Sequence, residues 1–215
     1  MGDPHAAQAI ANAGLIVVLR GVPRTALDPV ARALRRGGVR VVEVALNSPQ
    51  ALEEVSRLRD YDFCLGAGTA VEEGLAEAAI DAGAQFLFSP IAQSFFLPLC
   101  RKRGVVAIPG GFTPTEIYHL HYAGAHFVKI FPGWLGGPQY VREILAPCEE
   151  LRLVPAGGVS VDTLEEYFRA GAVAVGVGQE IVSGELIDRE DYEEITRRAQ
   201  SFVEKISTLS IPQAR

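Results

Sequence analysis

The chain has 215 residues, 48% hydrophobic and 21% charged, with a formal net charge of −6. That is enough apolar material for one sizeable core, and the acidic balance argues against a nucleic-acid partner, which selects for a basic face. No apolar run approaches the roughly 18 residues of a membrane span, and the opening "MGDPHAAQAIANAG" lacks the basic start and apolar core of a secretion signal. The expectation is a cytoplasmic protein without a membrane partner.

The first dozen residues predict a short N-terminal helix, and strand and helix alternate from there. "LIVVLR" predicts a strand over 15–20, with a helix over 25–36. "RRGGVRVVEVAL" gives a strand over 39–46 and a helix over 49–59, and "DFCLGAGT" a strand over 62–69 and a helix over 72–82. "DAGAQFLFSP" and "KRGVVAIPG" place strands over 86–90 and 105–110, followed by helices over 94–103 and 114–123. "YAGAHFVKIFP", "LRLVPAGG" and "RAGAVAVGVG" place the last strands over 127–132, 152–158 and 172–178, with helices over 138–147, 162–170 and 188–206.

Glycine after a helix is the expected left-handed cap, and the apolar runs are continuous enough for strands covered on both faces. Eight strand–helix units at a period of roughly 20–25 residues predict an α/β fold of the (β/α)8 TIM-barrel type, one domain over 1–215, with the N-terminal helix closing its floor. An open doubly wound sheet is the alternative. It usually has fewer strands, and often a GxGxxG after the first, where this chain has "LRGVPRT". The three cysteines, Cys64, Cys100 and Cys148, show no CxxC spacing and read as reduced, mostly apolar fillers.

In such a barrel the C-terminal strand ends face the active site, and alternate strand residues point inward. On the sixth strand Phe127, Lys129 and Phe131 share one parity, and Val128 and Ile130 the other. On the second, Val41, Glu43 and Ala45 share one parity against Val42, Val44 and Leu46. The purely aliphatic sets suit the helix-facing layer, so Lys129 and Glu43 are expected to point inward. A buried Lys–Glu pair adds little net stability, so its place late in two strands favours chemistry over structure. An amine desolvated among Phe127, Phe131 and Pro132 has a lowered pKa and can attack a carbonyl, with a nearby carboxylate to move protons.

The other strand ends suit an anionic substrate. Arg20 offers a planar guanidinium for a carboxylate. Thr69 can hydrogen-bond a ligand or serve a turn, and Pro90 and Pro109-Gly110 end strands four and five. Gly157-Gly158 in "AGGVS" and Gly178-Gln179 in "GVGQE" place glycine-rich backbone after strands seven and eight, the usual barrel phosphate site. His119 and His121, two apart on a helix, face different directions and cannot share a metal. With no carboxylate cluster on the rim, the expectation is an enzyme without a metal or other cofactor.

With "VEVALNSPQ", "GAGT", "VKIFP…GPQY" and "GGVS", nearly the whole chain resembles the 2-keto-3-deoxy-6-phosphogluconate aldolase family, which includes 4-hydroxy-2-oxoglutarate aldolases. The resemblance implies a class I aldolase, with Lys129 forming a Schiff base with a small-molecule 2-keto acid and Glu43 as general acid/base. It implies that Arg20 and Thr69 hold the pyruvoyl carboxylate region and that the Gly157, Gly158 and Gly178 backbone takes a phosphate. It further implies metal independence and a homotrimer. Asn47 stands where the phosphogluconate enzymes commonly carry arginine, so "LNSPQ" with Arg20 resembles the phosphogalactonate branch. Ala156 replaces a threonine and Gln179 a phosphate-binding serine, which keeps an unphosphorylated 2-keto acid open. A phosphosugar isomerase or synthase using Glu43 as base, and a non-catalytic sugar-phosphate sensor, are the competing readings.

Overall fold

The computed structural model describes residues 4–209. Helix α1 (Pro4–Ala13) buries Ala6 and Ile10 against the inner face of the strands, as the predicted N-terminal helix requires. Eight parallel strands follow: β1 (Leu15–Leu19), β2 (Val41–Ala45), β3 (Cys64–Gly68), β4 (Phe86–Phe88), β5 (Val106–Ile108), β6 (Val128–Ile130), β7 (Leu153–Pro155) and β8 (Val175–Val177). Between them run α2 (Leu27–Arg36), α3 (Ala51–Leu58), α4 (Glu73–Asp81), α5 (Phe96–Arg103), α6 (Pro114–Tyr122), α7 (Gly133–Leu145) and α8 (Leu164–Arg169). After β8 come α9 (Gly184–Asp188) and α10 (Tyr192–Ser207). Among the described residues no helix is long and apolar enough to cross a membrane.

The ladder is not continuous through all eight strands. Six form one sheet in the order β5-β4-β3-β2-β1-β8, and β6 pairs with β7 apart from it. Single bridges, Gly110 to Lys129 and Ala156 to Gly176, cross the two seams. Proline explains both interruptions, because it has no N–H to donate. At the first seam the Pro109 carbonyl accepts from Lys129 N–H at 2.9 Å, so the missing Pro109 donor lies on the β6 side. At the second, Ala156 N–H turns to Ile130 O at 3.0 Å, which leaves the neighbouring Pro155 without a donor toward β8. The architecture is thus an α/β fold around a curved parallel sheet.

Side-chain parity divides the apolar interior as the sequence predicts. Val42, Val44, Val128 and Ile130 pack in the layer shared with the helices, for example with Leu27, Val30 and Leu34 of α2. Ile16, Val41, Phe86, Phe88, Ile108, Phe127 and Val154 form a second cluster on the inner face, together with Ala6 and Ile10 of α1.

Two helices differ from expectation. The helix predicted over 138–147 begins earlier, at Gly133, and breaks at Gly137 (φ 66°, ψ −174°) before Pro138 restarts it. The extra turn is held by tertiary bonds from Gly133 N–H to Ala156 O at 2.7 Å and from Trp134 N–H to Gly157 O at 3.0 Å. The helix predicted over 188–206 begins later, at Tyr192, and α9 precedes it as a separate short helix, each with its own cap. The Ser183 hydroxyl accepts from Leu186 N–H, and the Asp191 carboxylate from Glu194 N–H.

Candidate active site

The strand ends open on a cavity of about 560 Å³. Arg20, Thr69, Pro90, Lys129, Gly157, Gly158, Gly178 and Gln179 line it, joined by Val18, Phe131, Ala156, Val159 and Glu180. Two residues singled out from the sequence lie elsewhere. Gly110 lines a neighbouring cavity with Ile91, Phe112, Glu116 and His119. Its role there is close approach, since a Cβ would stand 2.2 Å from the Pro90 carbonyl carbon. Glu43 is buried below the cavity lining, 1% exposed.

Lys129 itself is 6% exposed. Its Nζ sits over the rings of Phe88, 3.9 Å from the centroid, and Phe131, 4.9 Å away. Burial lowers its pKa from 10.5 to about 8, with Glu43 pulling it up and Arg20 pressing it down. For Glu43 burial works the other way, raising its pKa from 4.5 to about 7 against the positive charges of Lys129 and Arg20. One of its carboxylate oxygens, Oε2, is buried without a hydrogen-bond partner. A buried orphan acceptor is costly unless a ligand or a proton satisfies it. Space for the carboxylate comes from Gly68, where a Cβ would stand 1.4 Å from Oε1. The pair is therefore poised near neutrality, one group an amine within reach of its free-base form and the other a carboxylate ready to exchange a proton.

The rim over this pair is built by side chains. Arg20 follows β1 and donates from Nη1 to Asn47 Oδ1 at 2.5 Å and from Nη2 to the Thr69 hydroxyl at 3.3 Å. The adjacent Gly21 N–H donates to the Ser48 hydroxyl at 2.8 Å. Thr69 holds its hydroxyl from a backbone with φ 55°, a region that a β-branched residue occupies only under constraint. From the sequence, Asn47 marked only a departure from a family pattern. The structure makes it the partner of Arg20, and "LNSPQ" directly after β2 was the available signal.

The opposite end is built by main chain. Gly157 (φ 84°) and Gly158 (φ 75°) both adopt left-handed backbone, and Trp134 packs so closely that a Cβ on Gly158 would lie 2.6 Å from its Cβ. Among the described residues no protein acceptor takes the amides of Gly158, Gly178 or Gln179. Such a row of free N–H groups binds an anion or a polar terminus. No cationic residue lines this end, and Glu180 does.

His119 faces the neighbouring cavity, and His126 accepts the Ala107 N–H at 3.1 Å through Nδ1. Among the described residues no group of three or more His, Cys, Asp or Glu could hold a metal ion.

Comparison with known proteins identifies the family. The family model described as "Aldolase: KDPG and KHG aldolase" matches residues 7–198. A 2-dehydro-3-deoxy-phosphogluconate aldolase of Treponema pallidum is 33% identical over 184 residues, covering 84% of this chain and 88% of that one. A 2-dehydro-3-deoxy-6-phosphogalactonate aldolase of Escherichia coli is 31% identical over 181 residues, covering 81% and 88%. Among solved structures, a KDPG aldolase from Legionella pneumophila, with pyruvate captured as a covalent carbinolamine, superimposes with a TM-score of 0.84 at 28% identity, covering 92% of this chain and 97% of that one.

Proposed function

Because the chain belongs to the KDPG and KHG aldolase family, we propose that it is a class I aldolase that cleaves a 2-keto-3-deoxy-6-phosphosugar acid to pyruvate and glyceraldehyde 3-phosphate. The observation that carries the reading is the buried Lys129 and Glu43 at the strand ends, with Arg20 on the rim above them. Lys129 Nζ attacks the C2 ketone, Glu43 moves the protons, and water leaves to give an iminium. Glu43 then accepts the C4 hydroxyl proton, directly or through a bridging water, and the C3–C4 bond breaks. Its electrons pass into the iminium to form an enamine, C3 takes up a proton, and hydrolysis returns the lysine and pyruvate. The iminium supplies most of the activation, and the protein supplies positioning and pKa tuning.

Arg20 with Asn47 and Thr69 binds the carboxylate, and the amides at Gly157, Gly158 and Gly178 with the Gln179 side chain take the far end of the substrate. Pro90 and Gly110 shape the walls. The Arg20–Asn47 pair at this rim favours the phosphogalactonate C4 configuration. A second reading, an unphosphorylated 2-keto acid such as 4-hydroxy-2-oxoglutarate, draws support from the absence of a cation and the presence of Glu180 at the far end.

The remaining features follow from this assignment. The two seams close through their bridges into a (β/α)8 barrel of one domain, active in the cytoplasm. The chain assembles as a homotrimer, for which the exposed Tyr118, Tyr122, Trp134 and Leu135 supply apolar surface.

Borohydride reduction with pyruvate, followed by peptide mapping, is expected to place the adduct on Lys129. Its absence from folded protein would sink the mechanism. Comparing kcat/KM for both C4 epimers, with and without the phosphate, decides the substrate, and equal values for all four would count against the phosphogalactonate type. Light scattering of the eluted protein is expected to give three times the 23.1 kDa chain mass.

A further inference from the structure

Two aromatic faces look onto the Lys129 nitrogen, and they differ in kind. Phe131 is 44% exposed and lines the cavity. Phe88 has no exposed surface and belongs to the inner core with Ile16, Phe86 and Ile108. Its ring is nevertheless the nearer, 3.9 Å from centroid to Nζ against 4.9 Å. Gly176 leaves room for it, since a Cβ there would stand 3.3 Å from Phe88 Cζ.

An aliphatic side chain could fill this space. What a ring adds is a face of negative potential, which attracts a cation within about 6 Å and does so most strongly when both are out of water. Along the proposed reaction the Lys129 nitrogen is cationic twice, as the resting ammonium and, once water has left, as the iminium. In the enamine it is neutral.

We infer that Phe88 is a cation-binding face for the Lys129 nitrogen, holding the ammonium before condensation and the iminium after it. The inference rests on Lys129 being the Schiff-base residue. Two other charged groups act on the same nitrogen, Glu43 on β2 in favour of the cation and Arg20 beyond β1 against it. Neither is altered when only the ring is changed.

The test replaces Phe88 with 4-fluoro-, 3,5-difluoro- and pentafluorophenylalanine, which keep the ring's shape and drain its face of negative potential. At a pH of about 10, above the lowered pKa of Lys129, the borohydride-trapped pyruvate adduct is expected to fall stepwise along the series, by about tenfold or more for the pentafluoro ring. At a pH of about 6 the series is expected to be flat, because the ring then faces a cation on both sides of the equilibrium. Carbamylation of Lys129 by cyanate, which reacts with the neutral amine, reads the resting state directly. Its midpoint is expected to move to lower pH as fluorine is added, and the same series at Phe131 to give a shallower slope. A flat response at Phe88 in both the alkaline trapping and the cyanate midpoint overturns the inference. If the wild-type protein forms no pyruvate adduct at Lys129, the aldolase mechanism fails instead, while the cyanate midpoint still reports on the ring.

Discussion

The two ends of the cavity are made of different materials. At one end, side chains on or just after β1, β2, β3 and β6 converge: Arg20, Asn47, Glu43, Thr69 and Lys129 each bring a polar functional group. At the other, the lining around Gly157, Gly158 and Gly178 is mostly main chain. A site of the first kind is sensitive to identity, and one of the second kind is sensitive to backbone shape. The two ends therefore differ in what a substitution alters: a functional group at the first, the backbone path at the second.

Lys129→Arg should give the largest effect. It keeps the charge but cannot form an imine, so turnover is expected to fall by about a thousandfold or more, with loss of the borohydride adduct. Retained turnover would instead favour an isomerase using Glu43 as base.

Next comes Glu43→Gln, expected to lower kcat by about 10²–10⁴-fold, the range for removing a general acid/base. The Glu43 charge favours the ammonium, so the variant's lysine should also titrate at lower pH, which the cyanate midpoint reads. The pair has a signature in stability as well. The folded protein holds the Glu43 proton more tightly than the unfolded chain, so this contribution is complete below pH 4.5 and is lost as pH rises to about 7. Lys129 releases its proton more readily when folded, so its contribution grows as pH rises from about 8 to 10.5. Thermal melts of Glu43→Gln across pH 4.5 to 7 should lack the decline that wild type shows.

Gly158→Ala probes the main-chain end. A left-handed backbone costs a residue with a side chain about 1–2 kcal/mol, and Trp134 must also shift, since its Cβ lies 2.6 Å from the new methyl position. Denaturant titration should show that loss, and KM should rise more than kcat falls. Asn47→Ala is expected to be mildest. Losing one hydrogen bond to a charged group costs about 1.5–3 kcal/mol if the partner is left stranded, and less here because water reaches the exposed Arg20. Its mark should be a raised KM at nearly constant kcat, and a large fall in kcat would show that Asn47 takes part in the chemistry itself.

The side-chain end was readable from the sequence because a strand's period of two assigns each residue to a face without tertiary knowledge. Lys129 and Glu43 stood out as charges on inward positions, and both are buried where parity puts them. Phe88 shares that parity in "FLFSP", but an apolar residue in an apolar run gives no sign that it faces an amine. Ladder continuity was hidden for a similar reason. "VAIPG" and "LVPAG" display their prolines, yet whether a missing N–H matters depends on which neighbour it would have faced. The first turn of α7 was missed because "GWLGG" has poor helix propensity, and bonds to Ala156 and Gly157, just after β7, override it. The later start of α10 had a local signal in "DYEE", where the Asp191 carboxylate accepts from Glu194 N–H.

Gly68 ties two positions together across generations. Because Glu43 Oε1 stands 1.4 Å from where its Cβ would be, any side chain at 68 must displace the carboxylate, so the fitness of a change at one position depends on the residue at the other. A lineage that lost Glu43 first would have removed that obstacle before filling position 68. The reverse order would damage the site first, so a return to aldol cleavage would have to pass back through glycine before glutamate is restored.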